Sequence, residues 1–243
     1  MSQKKHLNLS ILWVDEDLLV VNKPSGTLTI PGDTRDDVVC LLDLLEPEFG
    51  RLWVVHRLDR DTSGVQVYAR NSQAHQFLNC QFERREVEKI YHAIVSGKST
   101  WQEIVVTAPL VVNSDRDHRT IIHPRYGKPA STSLKVLGVF KNYCLIEACP
   151  HSGYTHQIRV HLSHVGLPIV GDPVYGSANE LLLSKIKPDY KGSKESERPL
   201  ITRTALHAHS IQFSHPTSLE KVEVKAPYPK DFSSALAQLR RYA

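Results

Sequence analysis
The chain has 243 residues, 41% hydrophobic and 23% charged, with a formal charge of +4. These proportions suit one sizeable folded core and exclude disordered and collagen-like classes. The mildly basic balance permits a local patch for RNA without requiring one.

Residues 1–10 read as an N-terminal tail, and no long apolar segment follows them, so no secretory leader is expected. Residues 11–14 and 18–22 read as two strands turned at Asp15-Glu16-Asp17, with further turns at Lys23-Pro24-Ser25-Gly26 and Pro31-Gly32. A helix is expected from Asp36 or Asp37 through Leu45, stopped at Pro47. Apolar runs at 52–55 and 65–68 read as strands flanking a nine-residue loop, 56–64. Ser72 is the expected cap of a helix running through Phe82. Strands follow at 90–95 and 104–106, then a polar, exposed stretch at 113–123 carrying Arg116, His118 and Arg119. Residues 131–140 and 143–149 predict a long hairpin turned at Lys141-Asn142. Thr155 is the expected cap of a short helix ending at Gly166. Residues 187–199 read as a surface loop, 206–213 and 221–224 as strands, and 231–240 as a closing helix.

Strand runs with scattered short helices predict an α+β fold with a largely antiparallel mixed sheet. Cys40, Cys80, Cys144 and Cys149 contain no Cys-x-x-Cys pair, and three lie in apolar patterns. Free thiols in a reducing compartment, the cytoplasm, are the expectation. No run approaches the roughly 20 apolar residues of a membrane helix, so no membrane partner is expected.

The loop at 56–64 carries the chemistry. Asp59 is bracketed by Arg57 and Arg60, and a carboxylate beside guanidiniums stays ionised. An ionised carboxylate on a rigidly held loop is a competent nucleophile or base. For an arbitrary charged loop, local Arg–Asp pairing is the plainer explanation, and spacing alone does not overturn it.

The whole string His56-Arg57-Leu58-Asp59-x-x-Thr62-Ser63-Gly64 resembles the signature of the RluA-type pseudouridine synthases. Residues 11–26, ending Lys23-Pro24-Ser25-Gly26, resemble that family's opening strand pair. Lys89-Ile90-Tyr91 resembles its Lys-x-Tyr strand, and Gly127-Lys128-Pro129-Ala130 a further short element. His156-Gln157-Ile158-Arg159 with Gly171-Asp172 resembles its third motif, and Leu206-His207-Ala208 with His215-Pro216 its last. The matches keep the family's order from about residue 11 to residue 227. One departure is Ser152-Gly153-Tyr154-Thr155, where the family usually has Thr-Gly-Arg-Thr, so a phenol replaces a cation.

The resemblance implies a single catalytic domain over residues 11–243 with a pseudouridine-synthase-like fold and no S4-type module. It implies isomerisation of uridine to pseudouridine in transfer RNA or large-subunit ribosomal RNA stem-loops, with Asp59 as the catalytic carboxylate. Arg159 is expected to hold Asp59 in an ion pair, and Tyr91 to stack on the uracil. Arg57 is expected to enter the gap left by a flipped nucleotide. Lys23, Arg116, His56 and Thr62 complete the expected RNA contacts. No cofactor, no metal and no DNA are expected, and the protein is expected to be a monomer. Two rivals exist. His156, His161, His164 and His207-x-His209 invite a metal site, but there is no His-Glu-x-x-His and no placed acidic ligand. A catalytically silent RNA-binding protein of the same fold would not require Asp59.

Overall fold
The structure, a computed structural model, describes residues 9–31, 38–112, 114, 119–176, 180–193 and 195–242. The chain forms two compact units, residues 1–87 with 210–227 and residues 88–209 with 228–243.

In the first unit, β1 (Ser10–Val14), β2 (Leu18–Lys23) and β4 (Ser63–Ala69) pair antiparallel in that order, and β3 (Trp53–Val54) adds to β4. The register Leu19↔Tyr68 through Lys23↔Gly64 sets the Lys-Pro turn beside the start of β4. Gly64 has φ of 119°, a conformation that side-chain-bearing residues rarely adopt, which explains a glycine at this point. Leu19, Val21, Leu41, Leu45, Leu52 and Tyr68 form the core. Two helices flank it, α1 (Leu41–Phe49) and α2 (Ser72–Glu83).

Helix boundaries differ from the sequence reading. The described α1 begins after Cys40 and passes through Pro47 to Gly50, so Pro47 sits inside the helix rather than stopping it. The cap of α2 is Asn71, whose side chain accepts from the Ala74 amide at 2.8 Å, one residue earlier than expected. The C-terminal half of β11 (Leu206–Ser214) pairs with β12 (Lys221–Lys225), from Ser210↔Lys225 to Ser214↔Lys221.

The second unit is built on β5 (Glu88–Ser96), β10 (Tyr143–Pro150), β9 (Ser131–Phe140) and β6 (Glu103–Thr107), antiparallel in that order. A small pair, β7 (Leu110–Val111) and β8 (Ile121–Ile122), lies apart. Ile94, Leu134, Ile146 and Leu162 fill its core, with Phe232 from α5 (Lys230–Tyr242). Phe232, Ala235, Leu236 and Leu239 on α5 repeat at 3 and 4 residues, the spacing of one buried helical stripe. The remaining helices are α3 (Gln157–His164) and the short α4 (Leu183–Ile186). The architecture is the expected α+β, largely antiparallel. Among the described residues no helix is long and apolar enough to cross a membrane.

Candidate active site
The loop between β3 and β4 is pinned by its own backbone. The carbonyl of His56 accepts from Gln66 Nε2 at 2.7 Å, and that of Asp59 from the Thr62 amide at 3.1 Å. Leu58 exchanges two bonds with the Thr29 hydroxyl, at 3.2 and 3.3 Å. The Arg60 carbonyl accepts from the Gly26 amide at 2.9 Å and from Lys23 Nζ at 3.0 Å, and the Asp61 carbonyl from the Ser25 hydroxyl at 2.9 Å. Leu58 is buried under the loop, whereas Asp59 is half-buried and Arg57 and Arg60 are exposed. Backbone polar groups satisfied in this way leave the loop little freedom, so the Asp59 carboxylate is presented from a fixed base.

Three expected RNA contacts turn out to be braces for that loop. Lys23 is fully buried, and its ammonium donates to the carbonyls of Pro24 (3.1 Å), Thr27 (2.8 Å) and Arg60 (3.0 Å). A fully buried ammonium that donates to three backbone carbonyls is not presented to a phosphate. Nε2 of His56 accepts the Val67 amide at 3.0 Å, and its ring stacks on Phe82 at 5.1 Å. Thr62 is 3% exposed and closes the turn through its amide. The Lys23 and His56 side chains hold the loop from inside, and Thr62 does so through its backbone amide. Arg57 has the exposure that an RNA contact needs, and Arg116 lies outside the described residues.

The other candidates belong to the second unit. Tyr91 lies on β5 opposite Ala148, half-buried against the main core. Arg159 lies on α3 and is 6% exposed. The sequence reading pairs it with Asp59 and gives Asp172 no role. Within its own unit its partner is Asp172, through Nε–Oδ2 at 2.7 Å and Nη2–Oδ1 at 2.8 Å. Asp172 also accepts the amides of Val174 and Tyr175 at 2.9 and 3.1 Å. Burial alone would raise the Asp172 carboxyl; the hydrogen bonds and charge of Arg159, with the two amides, outweigh it and hold the group below its usual value. Asp172 occupies the edge of the guanidinium formed by Nε and Nη2. The adjacent Gly171 has φ of 69°, and a Cβ there would lie 2.3 Å from the Arg203 carbonyl oxygen, so the turn that presents Asp172 requires glycine. That Gly-Asp pair is the one sequence signal for this partner.

The cap of α3 is His156, with φ of 58° and no side-chain capping bond, rather than Thr155. Among the described residues no group of three or more His, Cys, Asp or Glu is placed to hold a metal ion. His161 is a satisfied core residue, its Nδ1 meeting the Thr132 hydroxyl at 2.8 Å and its Nε2 the Ala108 carbonyl at 3.1 Å. Burial pushes its pKa down. Tyr154, at the departure from the family pattern, packs on the small cluster of Leu110, Ala130 and Val160.

Residues 17–164, a span holding the Asp59 loop, both its strands, Tyr91 and Arg159, match the family model described as RNA pseudouridylate synthase, and the chain belongs to that family. It is 36% identical over 242 residues to the ribosomal large subunit pseudouridine synthase C of Vibrio cholerae, covering 99% of this chain and 72% of that one. It is 33% identical over 246 residues to the corresponding synthase D of Haemophilus ducreyi, covering 98% and 73%. Among solved structures, human RNA pseudouridylate synthase domain containing 4 is similar with a TM-score of 0.74 and 28% identity, over 95% of this chain and 93% of that one. The protein is a pseudouridine synthase acting on RNA.

Proposed function
We propose that this synthase modifies a uridine in large-subunit ribosomal RNA, with Asp59 as its catalytic carboxylate. The observation that carries the assignment of Asp59 is the bracing of its loop by Lys23, Ser25, Thr29 and Gln66. A surface turn with no task has no need of a buried ammonium behind it. The names of the Vibrio and Haemophilus relatives support ribosomal RNA over transfer RNA. The reaction breaks the bond between N1 and C1′, turns the uracil and joins C1′ to C5. The C5 hydrogen leaves as a proton and N1 gains one, so no redox or phosphoryl step is involved. Asp59 supplies the carboxylate that such chemistry at a sugar carbon or base requires.

In this reading Arg159, oriented by Asp172, serves to keep the Asp59 carboxylate ionised. Tyr91 stacks on the uracil, and Arg57 takes the place of the flipped nucleotide. The protein works as a cytoplasmic monomer on a stem-loop, whose bases are splayed out at lower cost than paired ones. The test is pseudouridine mapping across cellular RNA with and without the gene. Loss of a single ribosomal site is expected; loss confined to transfer RNA would overturn the ribosomal assignment.

A further inference from the structure
Tyr175 follows Asp172 by three residues and is held at four points of its own. Its amide donates to Asp172 Oδ1 at 3.1 Å, and its carbonyl accepts the Ser163 hydroxyl at 3.0 Å. Its hydroxyl accepts the Thr120 amide at 2.8 Å and meets His156 Nδ1 at 3.0 Å. The underside of the ring packs with Leu110, Ala130 and Val160. The Arg159 guanidinium carbon stands 5.1 Å from the ring centroid. No part of the isomerisation chemistry described above accounts for a tyrosine fixed so completely.

We infer that Tyr175 is the positioning residue for Arg159. The argument is geometric. A bidentate pair with Asp172 fixes two points of the guanidinium plane, but the plane can still tilt about the line joining the two carboxylate oxygens. The Tyr175 ring, with the guanidinium carbon over it, restricts that remaining freedom through the attraction of the cation for the ring. His156, the cap of α3, and Arg159, on its first turn, both meet Tyr175. The left-handed turn at His156, with φ of 58°, brings its imidazole to the tyrosine hydroxyl at the head of the helix that carries Arg159. Thr120 closes the set, its hydroxyl donating to the Thr155 carbonyl at 2.8 Å. The ring therefore orients the guanidinium, and the hydroxyl fixes the ring.

This inference rests on the reading that Arg159 serves the reaction, and the experiment separates the two. C5-tritiated uridine in a ribosomal RNA fragment reports turnover as released tritium. Tyr175→Leu is expected to lower kcat by roughly tenfold or more, the scale on which a misplaced group acts, while KM for the RNA changes by less than about threefold. Tyr175→Phe, which keeps the ring, is expected to restore most of the lost kcat. Should the leucine variant fail to fold, phenylalanine and trifluorophenylalanine incorporated at position 175 give the same answer. They share a shape but differ in attraction for a cation, and kcat is expected to fall several-fold with fluorination. Wild-type kcat in the leucine variant, equal losses for leucine and phenylalanine, or no response to fluorination each overturn the inference. Arg159→Lys is measured beside them. If it keeps wild-type kcat, the role of Arg159 falls and this inference with it. If it is inactive while Tyr175→Leu keeps wild-type kcat, only the inference about Tyr175 falls.

Discussion

Replacing Arg159 by leucine tests the energetics of the second unit. The substitution leaves Asp172 in place with a side chain 0% exposed and its guanidinium partner gone. Breaking a buried pair by removing one member costs about 3–5 kcal/mol. Asp172 keeps its two backbone donors, Val174 and Tyr175, so the low end, about 3 kcal/mol, is the expected loss at neutral pH. For a chain of this size that lowers Tm by about 6–12 °C. The pH dependence gives a second signature. In the native protein the Asp172 carboxyl lies below its ordinary value of 3.8, so its stabilising contribution is complete above the unfolded value and lost as pH falls through the folded one. Without Arg159 only burial and the two amides remain, the carboxyl rises, and protonation relieves the buried charge. The gap in Tm between native and Arg159→Leu proteins is therefore expected to be widest near pH 7 and to shrink toward pH 3. Melts followed by circular dichroism across that range measure it. A gap below about 2 °C at pH 7, or one independent of pH, would refute the reasoning.

Lys23→Met removes the ammonium from three carbonyls around the Asp59 loop, so kcat is expected to fall at least roughly tenfold. The slope of RNA affinity against salt should stay unchanged, because a buried ammonium neutralises no phosphate; a flatter slope would restore Lys23 as an RNA contact. Tyr68 is fully buried, and its hydroxyl finds no partner among the described residues. Tyr68→Phe is therefore expected to raise stability by about 1 kcal/mol, read as a Tm a few degrees higher. A lower Tm would mean that the hydroxyl is satisfied in solution. His92 is pushed down to about 3 by burial, then by His209 and His207, and the Glu147 carboxylate at 3.6 Å does not offset them. Its hydroxyl neighbour is Tyr228, at 2.5 Å from Nδ1. Because the unfolded chain takes up this proton near pH 6.5 and the folded one only near 3, stability is expected to fall as pH drops through that window. His92→Phe should flatten the slope of Tm against pH, and an unaltered slope would contradict the assignment.

The strands were legible because their burial alternates or runs unbroken as their residues suggest. In β9 the alternation of buried Thr132, Leu134 and Val136 with open neighbours is written in the sequence. The fully apolar start of β2 likewise reads directly as buried strand. Caps were harder. Asn71 and Ser72 are both good caps by type, and only the bond from the Ala74 amide decides between them. The acidic loop was legible as a whole, but the tasks of its neighbours were not. Lys23 reads as a solvated turn lysine because its partner, the Arg60 carbonyl, lies 37 residues away. His56 looks outward in sequence, yet its ring nitrogen is spent inward on the Val67 amide. Asp172 carries a charge that any surface aspartate would carry, and only its 13-residue reach back to Arg159 marks it out. For Lys23, His56 and Asp172 the missing information is a contact to a backbone group or side chain 37, 11 and 13 residues away, which local pattern does not encode.

The central claim is that Asp59, on its braced loop, carries the isomerisation. Asp59→Asn nearly preserves shape and removes the charge, and the bonds that hold the loop, from Lys23, Ser25, Thr29 and Gln66, are made to backbone atoms that the change leaves untouched. Tritium release from C5-labelled uridine in ribosomal RNA is the direct measurement, because joining C1′ to C5 displaces that hydrogen. The account predicts no release above background from the variant, with RNA affinity equal to or above that of the native enzyme. Release at the native rate would contradict it.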